Sequence, residues 1–193
     1  LQTLLVTFSP DRDRMLPMRR KITYELSVPE QIVARLEKLG KCSLDIILPE
    51  NNKQARNHFK TSIYRLKHRN LVVGERRGKN VVFMLTEEGS RVAKRLQLKL
   101  QMAKKGKWDG KWRIMIFDIP EKLRGKRDLL RKELISFGFM QLQKSVWTYP
   151  YPLPTEFKEL WNETGISHHY LIIEASKIES DKSLRDFFFP KQK

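Results

Sequence analysis

Residues 51–85 read NNKQARNHFKTSIYRLKHRNLVVGERRGKNVVFML, and within this stretch the hydrophobic period changes from helical to two. Ala55, Phe59, Ile63 and Leu66 recur at helical spacing and predict a helix that starts near Asn51 or Asn52, after Pro49. The opposite face carries Lys53, Arg56, Asn57, Lys60, Thr61, Tyr64, Arg65 and Lys67. Cations, amides and hydroxyls in one stripe are the donors that phosphates and base edges accept. Leu71-Val72-Val73 and Val81-Val82-Phe83-Met84-Leu85 then predict two short strands around residues 74–80, a β-hairpin with Arg76, Arg77 and Lys79 at its tip.

Working outward, Ser27-Val28-Pro29-Glu30 is a capping box with Pro in the first turn. It predicts a helix of about three turns ending at Gly40, with Ile32, Val33, Leu36 and Leu39 as its apolar stripe. Cys42, just after it, reads as a small, half-buried apolar residue. On the other side, Thr86 opens a helix with Glu87 and Glu88 where the dipole favours anions. That helix runs through Val92, Leu96, Leu100 and Ala103 to the basic run Lys104–Lys107. Helix, helix, basic hairpin, helix is the order of a winged helix-turn-helix over residues 20–107. Residues 52–68 would be its recognition helix and residues 75–80 its wing, the helix fitting a major groove. Residues 1–19 form an N-terminal extension, in which Ser9-Pro10-Asp11 resembles a helix start.

Charge supports this reading. The chain has 39 Lys and Arg against 22 Asp and Glu, a net charge of +17, and a pI near 10.1. Residues 1–107 hold +14 of that excess and residues 108–193 only +3. Such a surplus over one half goes beyond what solubility requires and calls for a polyanion, duplex DNA or an anionic membrane. The apolar stripes are narrow and used in folding, so a membrane partner is not expected. No apolar run approaches a membrane span, the longest being Val81–Leu85 and Ile114–Phe117. A single cysteine excludes an intramolecular disulfide framework and any multi-cysteine metal site, and fits a reducing cytoplasm.

The second half, residues 108–193, is expected to be a separate α+β domain. Trp112 to Ile119 predicts a strand stopped by Pro120, and residues 121–137 a helix with Leu123, Leu130, Leu134 and Phe137 on one side. Residues 139–149 read as one strand or as two kinked at Lys144-Ser145, and Thr155 as the cap of a short helix with Phe157, Leu160 and Trp161. His168 to Ala175 reads as the last strand, so His168 and His169 would point to opposite faces and not share a metal. The order is that of a ferredoxin-like, split βαβ sandwich, whose open sheet face needs a partner; self-association to a homodimer satisfies it. Phe187-Phe188-Phe189 is too apolar for a free tail and should dock on the sheet or a partner subunit.

The stretch WDGKWRIMIFDIPEKLRGKRDLLRKELISFGFMQLQKSVWTYPYP, Trp108 to Pro152, resembles the central domain of the phenylacetate-degradation repressor (PaaX) family. The resemblance implies a transcriptional repressor that pairs an N-terminal winged helix with this domain. The same stretch is similar to the small CRISPR-associated endoribonuclease (Cas-two). The strand–Asp–helix opening of that enzyme corresponds to Phe117-Asp118-Ile119-Pro120, and its QKSV-aromatic stretch to Gln143–Trp147. That second resemblance implies a metal-binding role for Asp118, with Mg²⁺ shared across a dimer axis. A strand-end Asp before a helix is also a common N-cap. The expectation is therefore a homodimeric DNA-binding regulator without cofactor. Its alternative is a Mg²⁺-dependent nuclease or integration accessory working through Asp118.

Overall fold

The computed structural model describes residues 26–47, 53–104 and 106–190. Their contacts divide the chain into two compact units, the first ending at Gln101 and the second taking up the chain at Met102. The expected starts at Asn51/Asn52 and in residues 1–19 lie outside the described residues.

The first unit runs α1 (Val28–Leu39), β1 (Lys41–Ser43), α2 (Leu44–Ile47), α3 (Lys53–His68), β2 (Val72–Arg77), β3 (Asn80–Leu85) and α4 (Glu87–Ala103), the last two residues of α4 being counted with the second unit. The capping box forms: the Glu30 carboxylate accepts the Ser27 backbone N–H at 2.9 Å and its hydroxyl at 2.6 Å. Ile32, Val33 and Leu36 are buried, but Leu39 is 48% exposed. The Gly40 N–H closes the helix on the Leu36 carbonyl at 2.8 Å, so Leu39 is the last residue of α1. Neither β1 nor α2 was expected. Three and four residues are too few to show a period, although β1 alternates, with Cys42 buried and Lys41 exposed. Cys42 is thus a full core residue at 4% exposure, and burial pushes its thiol pKa up.

Phe59, Ile63 and Leu66 of α3 join α1, Ile47, Val72 and Phe83 in one core, while Ala55 is only half-buried. Each large apolar side chain so buried contributes roughly 1.5–3 kcal/mol. The three strands lie in the order β1-β3-β2, all antiparallel, with Cys42 opposite Phe83 and Gly74 opposite the same residue. The hairpin corrects the expected turn. Pairing continues to Arg77↔Asn80, so Arg76 and Arg77 are strand residues and the turn is only Gly78-Lys79. Gly78 at φ 61° makes this possible, since a two-residue turn matching strand twist needs a positive φ there. Thr86 caps α4: its hydroxyl accepts the Gly89 N–H at 3.0 Å and donates to the Asn70 carbonyl at 2.6 Å. In α4, Gly89, Ala93, Leu96, Leu98 and Met102 are buried, whereas Val92, Leu100 and Ala103 are half-buried.

The second unit runs β4 (Trp112–Phe117), a 3-10 turn (Glu121–Leu123), α5 (Arg124–Ser136), β5 (Met140–Gln143), β6 (Val146–Tyr149), α6 (Thr155–Glu163), a 3-10 turn (Ser167–His169), β7 (Tyr170–Ala175) and α7 (Lys182–Phe188). Its sheet has the order β5-β6-β4-β7, antiparallel throughout. Each helix connection, β4 to β5 through α5 and β6 to β7 through α6, therefore skips one strand. Leu130, Leu134, Phe157 and Trp161 of α5 and α6 are buried, as are Met115, Phe117 and Trp147 of the sheet. Phe139 stacks between Tyr149 at 4.9 Å and Phe157 at 5.4 Å.

Three local expectations change here. Thr155 is the first residue of α6, whose N-cap is Pro154, so the threonine does not cap it. Residues 118–120 leave the sheet before α5, ending β4 at Phe117. His168 and His169 lie in a 3-10 turn before β7, so strand alternation does not govern them. Phe188 docks within this unit, its ring 5.9 Å from Trp112.

Arg113 is the buried charge of this unit, with its side chain 5% exposed. It donates to both Asp109 carboxylate oxygens, at 2.7 and 2.6 Å, and to the Lys111 and Pro150 carbonyls at 3.1 and 3.2 Å. That hydrogen-bonded pairing holds the Asp109 carboxyl down at a pKa of about 2.

Candidate nucleic-acid interface

The outward face of α3 is built by subtraction. Phe59, Ser62, Ile63 and Leu66 take the inner face, so residues three and four apart on the other side form one stripe. Lys53, Asn57, Lys60, Thr61 and Tyr64 lie along it, and all are exposed. Arg65 is exposed on one flank; Arg56 lies on the other and is half-buried, so the proposed contact set is not one flat surface. Among the described residues, none of Lys53, Arg56, Lys60, Arg65 and Lys67 is in an ion pair with a carboxylate. Some other cations of the unit are engaged. Arg91 pairs with Glu87 and Glu88, and Arg35 donates to the Ile47 carbonyl at 2.6 Å. A run of unpaired cations on one helix face leaves a positive field that attracts polyanions.

One residue of the stripe was missed. His68 follows Tyr64 by four positions and continues the exposed line to the last residue of α3. Its ring meets the Tyr64 ring edge to face, with centroids 4.3 Å apart. The helical period alone would have found it. Beside this stripe a shallow cavity of about 200 Å³ is lined by Leu44, Lys60, Ile63, Tyr64, Lys67 and Phe83, which sets the flank of α3 against α2 and β3.

In the hairpin, Arg76, Arg77 and Lys79 are all exposed, but they do not share a face. Arg76 sits opposite Val81 on the pleat, while Arg77 lies on the other face with Glu75, two residues earlier. The Arg77 guanidinium and Glu75 carboxylate are 3.4 Å apart. Lys79 occupies the turn itself.

Asp118 is exposed just beyond β4, and its backbone N–H donates to the His169 carbonyl at 2.9 Å. Glu121, the nearest acid in sequence, is held by Arg127 at 2.7 Å.

Residues 105–186, which hold every strand of the second unit's sheet, match the family model described as the PaaX protein central Cas2-like domain. This unit resembles the central domain of that family. The chain is also similar to the transcriptional repressor PaaX of Escherichia coli (strain K12), at 26% identity over 116 residues. That match covers 60% of this chain and 36% of the repressor, so the chain spans about a third of the length of the curated relative. Within one chain Asp118 supplies a single exposed carboxylate, its nearest acidic neighbour in sequence being committed to arginine, whereas Mg²⁺ draws on several oxygen ligands. Among the described residues no three His, Cys, Asp or Glu side chains group around a possible metal position, and no step is derived through one. Among the same residues no helix is long and apolar enough to cross a membrane.

Proposed function

We propose that this chain is a DNA-binding transcriptional regulator, acting as a repressor, that binds duplex DNA as a homodimer. The first unit has the element order of a winged helix-turn-helix, with α2 and α3 as the helix pair and β2–β3 as the wing. The second has the strand order of a ferredoxin-like sandwich. Kinship with a transcriptional repressor supports the regulatory reading. The observation that carries it is the outward face of α3, an exposed line of unpaired cations, an amide and hydroxyls on a rigid helix of groove size. In this reading Lys53, Arg56, Lys60 and Arg65 meet phosphates. Asn57, Thr61 and Tyr64 face base edges, and Arg76, Arg77 and Lys79 reach the adjoining backbone or groove.

Pairing would fall to the second unit. On the sheet face away from Met115 and Phe117, Ile114 and Ile116 lie opposite Ile173 and Leu171. Leu171 is 50% and Ile173 43% exposed, an apolar strip that water covers poorly. Selection of bound sites from a random duplex pool tests the function. The reading expects an enriched, inverted-repeat sequence whose affinity falls steeply with salt. A pool that emerges unenriched overturns it.

A further inference from the structure

We infer that the shallow hollow on the flank of α3 receives the C5 methyl group of a thymine, so that each half-site carries a thymine selected by its methyl. The inference rests on the DNA-binding reading above and deepens it by naming a base that the helix selects. Leu44 of α2, Ile63 and Tyr64 of α3 and Phe83 of β3 line the hollow, and the exposed Lys60 and Lys67 border it. Ile63 and Phe83 are 4% and 7% exposed and form its floor, while Tyr64, 63% exposed, stands as a wall. The floor is firm. Phe83 packs over Gly74 so closely that a Cβ added there would lie 3.1 Å from its ring. Lys60, Tyr64 and Lys67 follow one another at spacings of four and three, which sets the mouth of the hollow along the edge of the outward stripe.

Size and chemistry decide the occupant. At about 200 Å³ the hollow is smaller than the roughly 300–1,000 Å³ of sites that enclose a small-molecule ligand, yet it is ample for a methyl group. In the major groove the thymine methyl is the apolar group among hydrogen-bond donors and acceptors. The amide and hydroxyls of the stripe answer the polar edges; the hollow answers the methyl. Its border is cationic. Among the described residues neither Lys60 nor Lys67 is in an ion pair with a carboxylate. They stand seven residues apart, about 10 Å along the helix. Their ammonium groups reach toward the phosphate backbone while their alkyl stems cover the methyl from the sides. Removing one methyl from such a contact lowers affinity about fourfold.

The test uses the full chain and its selected duplex, in which each thymine is replaced in turn by deoxyuridine, with binding read by fluorescence anisotropy at fixed salt. At one position of each half-site the replacement should weaken wild-type binding about fourfold, and about fifteenfold when both half-sites are changed. The salt dependence should stay the same, because no charge is lost. Tyr64→Ala removes the wall of the hollow at an exposed position, so the thymine-to-deoxyuridine ratio should fall below about twofold, whatever its overall affinity. His58→Gln, at an exposed position on the opposite flank of the same helix, should keep the wild-type ratio. Tight wild-type binding to a half-site without thymine, or with no thymine whose methyl matters, overturns the inference and leaves the DNA-binding reading standing. A methyl effect undiminished in Tyr64→Ala does the same. Displacement of the duplex by sodium hexanoate at constant ionic strength, abolished in Tyr64→Ala, would assign the hollow to a small organic anion and also overturn it. Failure of the wild type to select any duplex overturns the underlying reading instead.

Discussion

Two residues carry stability in ways that a single substitution exposes. Arg113 lies in the sheet of the second unit with its charge answered by Asp109. Asp109→Asn removes that answer while leaving Lys111 and Pro150 carbonyls and a more distant Glu174 at 3.5 Å. The loss should be about 2 kcal/mol, less than for a fully orphaned buried charge, and chemical denaturation at pH 7 measures it. The sign with pH follows from the depressed carboxyl. Its contribution is complete above the ordinary carboxylate pKa and is lost as pH falls from about 4 through about 2. The wild type should therefore lose stability in that window, and Asp109→Asn should lose less of it. Gly89 is the second case. A Cβ there would stand 1.9 Å from the Leu71 carbonyl oxygen, a backbone atom that cannot swing aside. Gly89→Ala should cost about 3 kcal/mol, at the upper end for overpacking, read as a lower thermal midpoint. Neither role was legible in the sequence. The Asp109–Arg113 pairing depends on where a loop returns to the sheet, and Gly89 sits in a helix where only the fold brings Leu71 close.

At the scale of elements, the long periodic pieces were readable and the short ones were not. The stripe Phe59, Ile63, Leu66 placed α3, and Ser27 with Glu30 placed the start of α1, because burial and capping repeat over several turns. β1 and α2 are held by pairing with β3 and by Ile47 in the core, contacts without a local signature. The hairpin shows the same limit. Alternation located its strands, but Glu75-Arg76-Arg77 has no apolar member to signal that pairing continues to the turn. That continuation separates the two arginines by face and gives Arg77 a carboxylate. Under the DNA-binding reading the wing's cations are then unequal. Arg76→Ala or Lys79→Ala should each flatten the salt dependence of duplex binding by about 0.9 if it meets a phosphate. Arg77→Ala should do less. Glu75→Ala removes a like charge from the phosphates and releases Arg77, so it should tighten binding about two- to fivefold at low salt, within what one exposed ion pair is worth. Titrations at several salt concentrations decide among them; weaker binding by Glu75→Ala would remove the hairpin from the interface.

For the whole molecule the question is why residues 1–107, which hold most of the excess charge, are joined to residues 108–193, which are nearly balanced. The first unit offers one groove-sized helix and one hairpin, a small footprint whose affinity would be mostly electrostatic and weakly selective. A second unit that pairs chains places two such footprints on one duplex, and the second contact becomes intramolecular, which raises affinity without any new kind of contact. Under the proposed reading, the apolar strip of Ile114, Ile116, Leu171 and Ile173 would supply the surface for that pairing. Its β7 members are exposed and do not hold the helix-side core of Leu130, Leu134, Phe157 and Trp161, so charge can be introduced there without emptying it. Ile173→Lys combined with Leu171→Glu should leave thermal unfolding within a few degrees of wild type. The same variant should convert a dimer to a monomer in sedimentation at micromolar concentration. Its affinity for an inverted-repeat duplex should fall at least tenfold, while affinity for a single half-site stays within about twofold, because only the linkage between the two contacts is lost. A dimer that persists in this variant would move the pairing surface elsewhere, and equal losses on both duplexes would show that the substitutions had disturbed the helix-bearing unit rather than the pairing of chains.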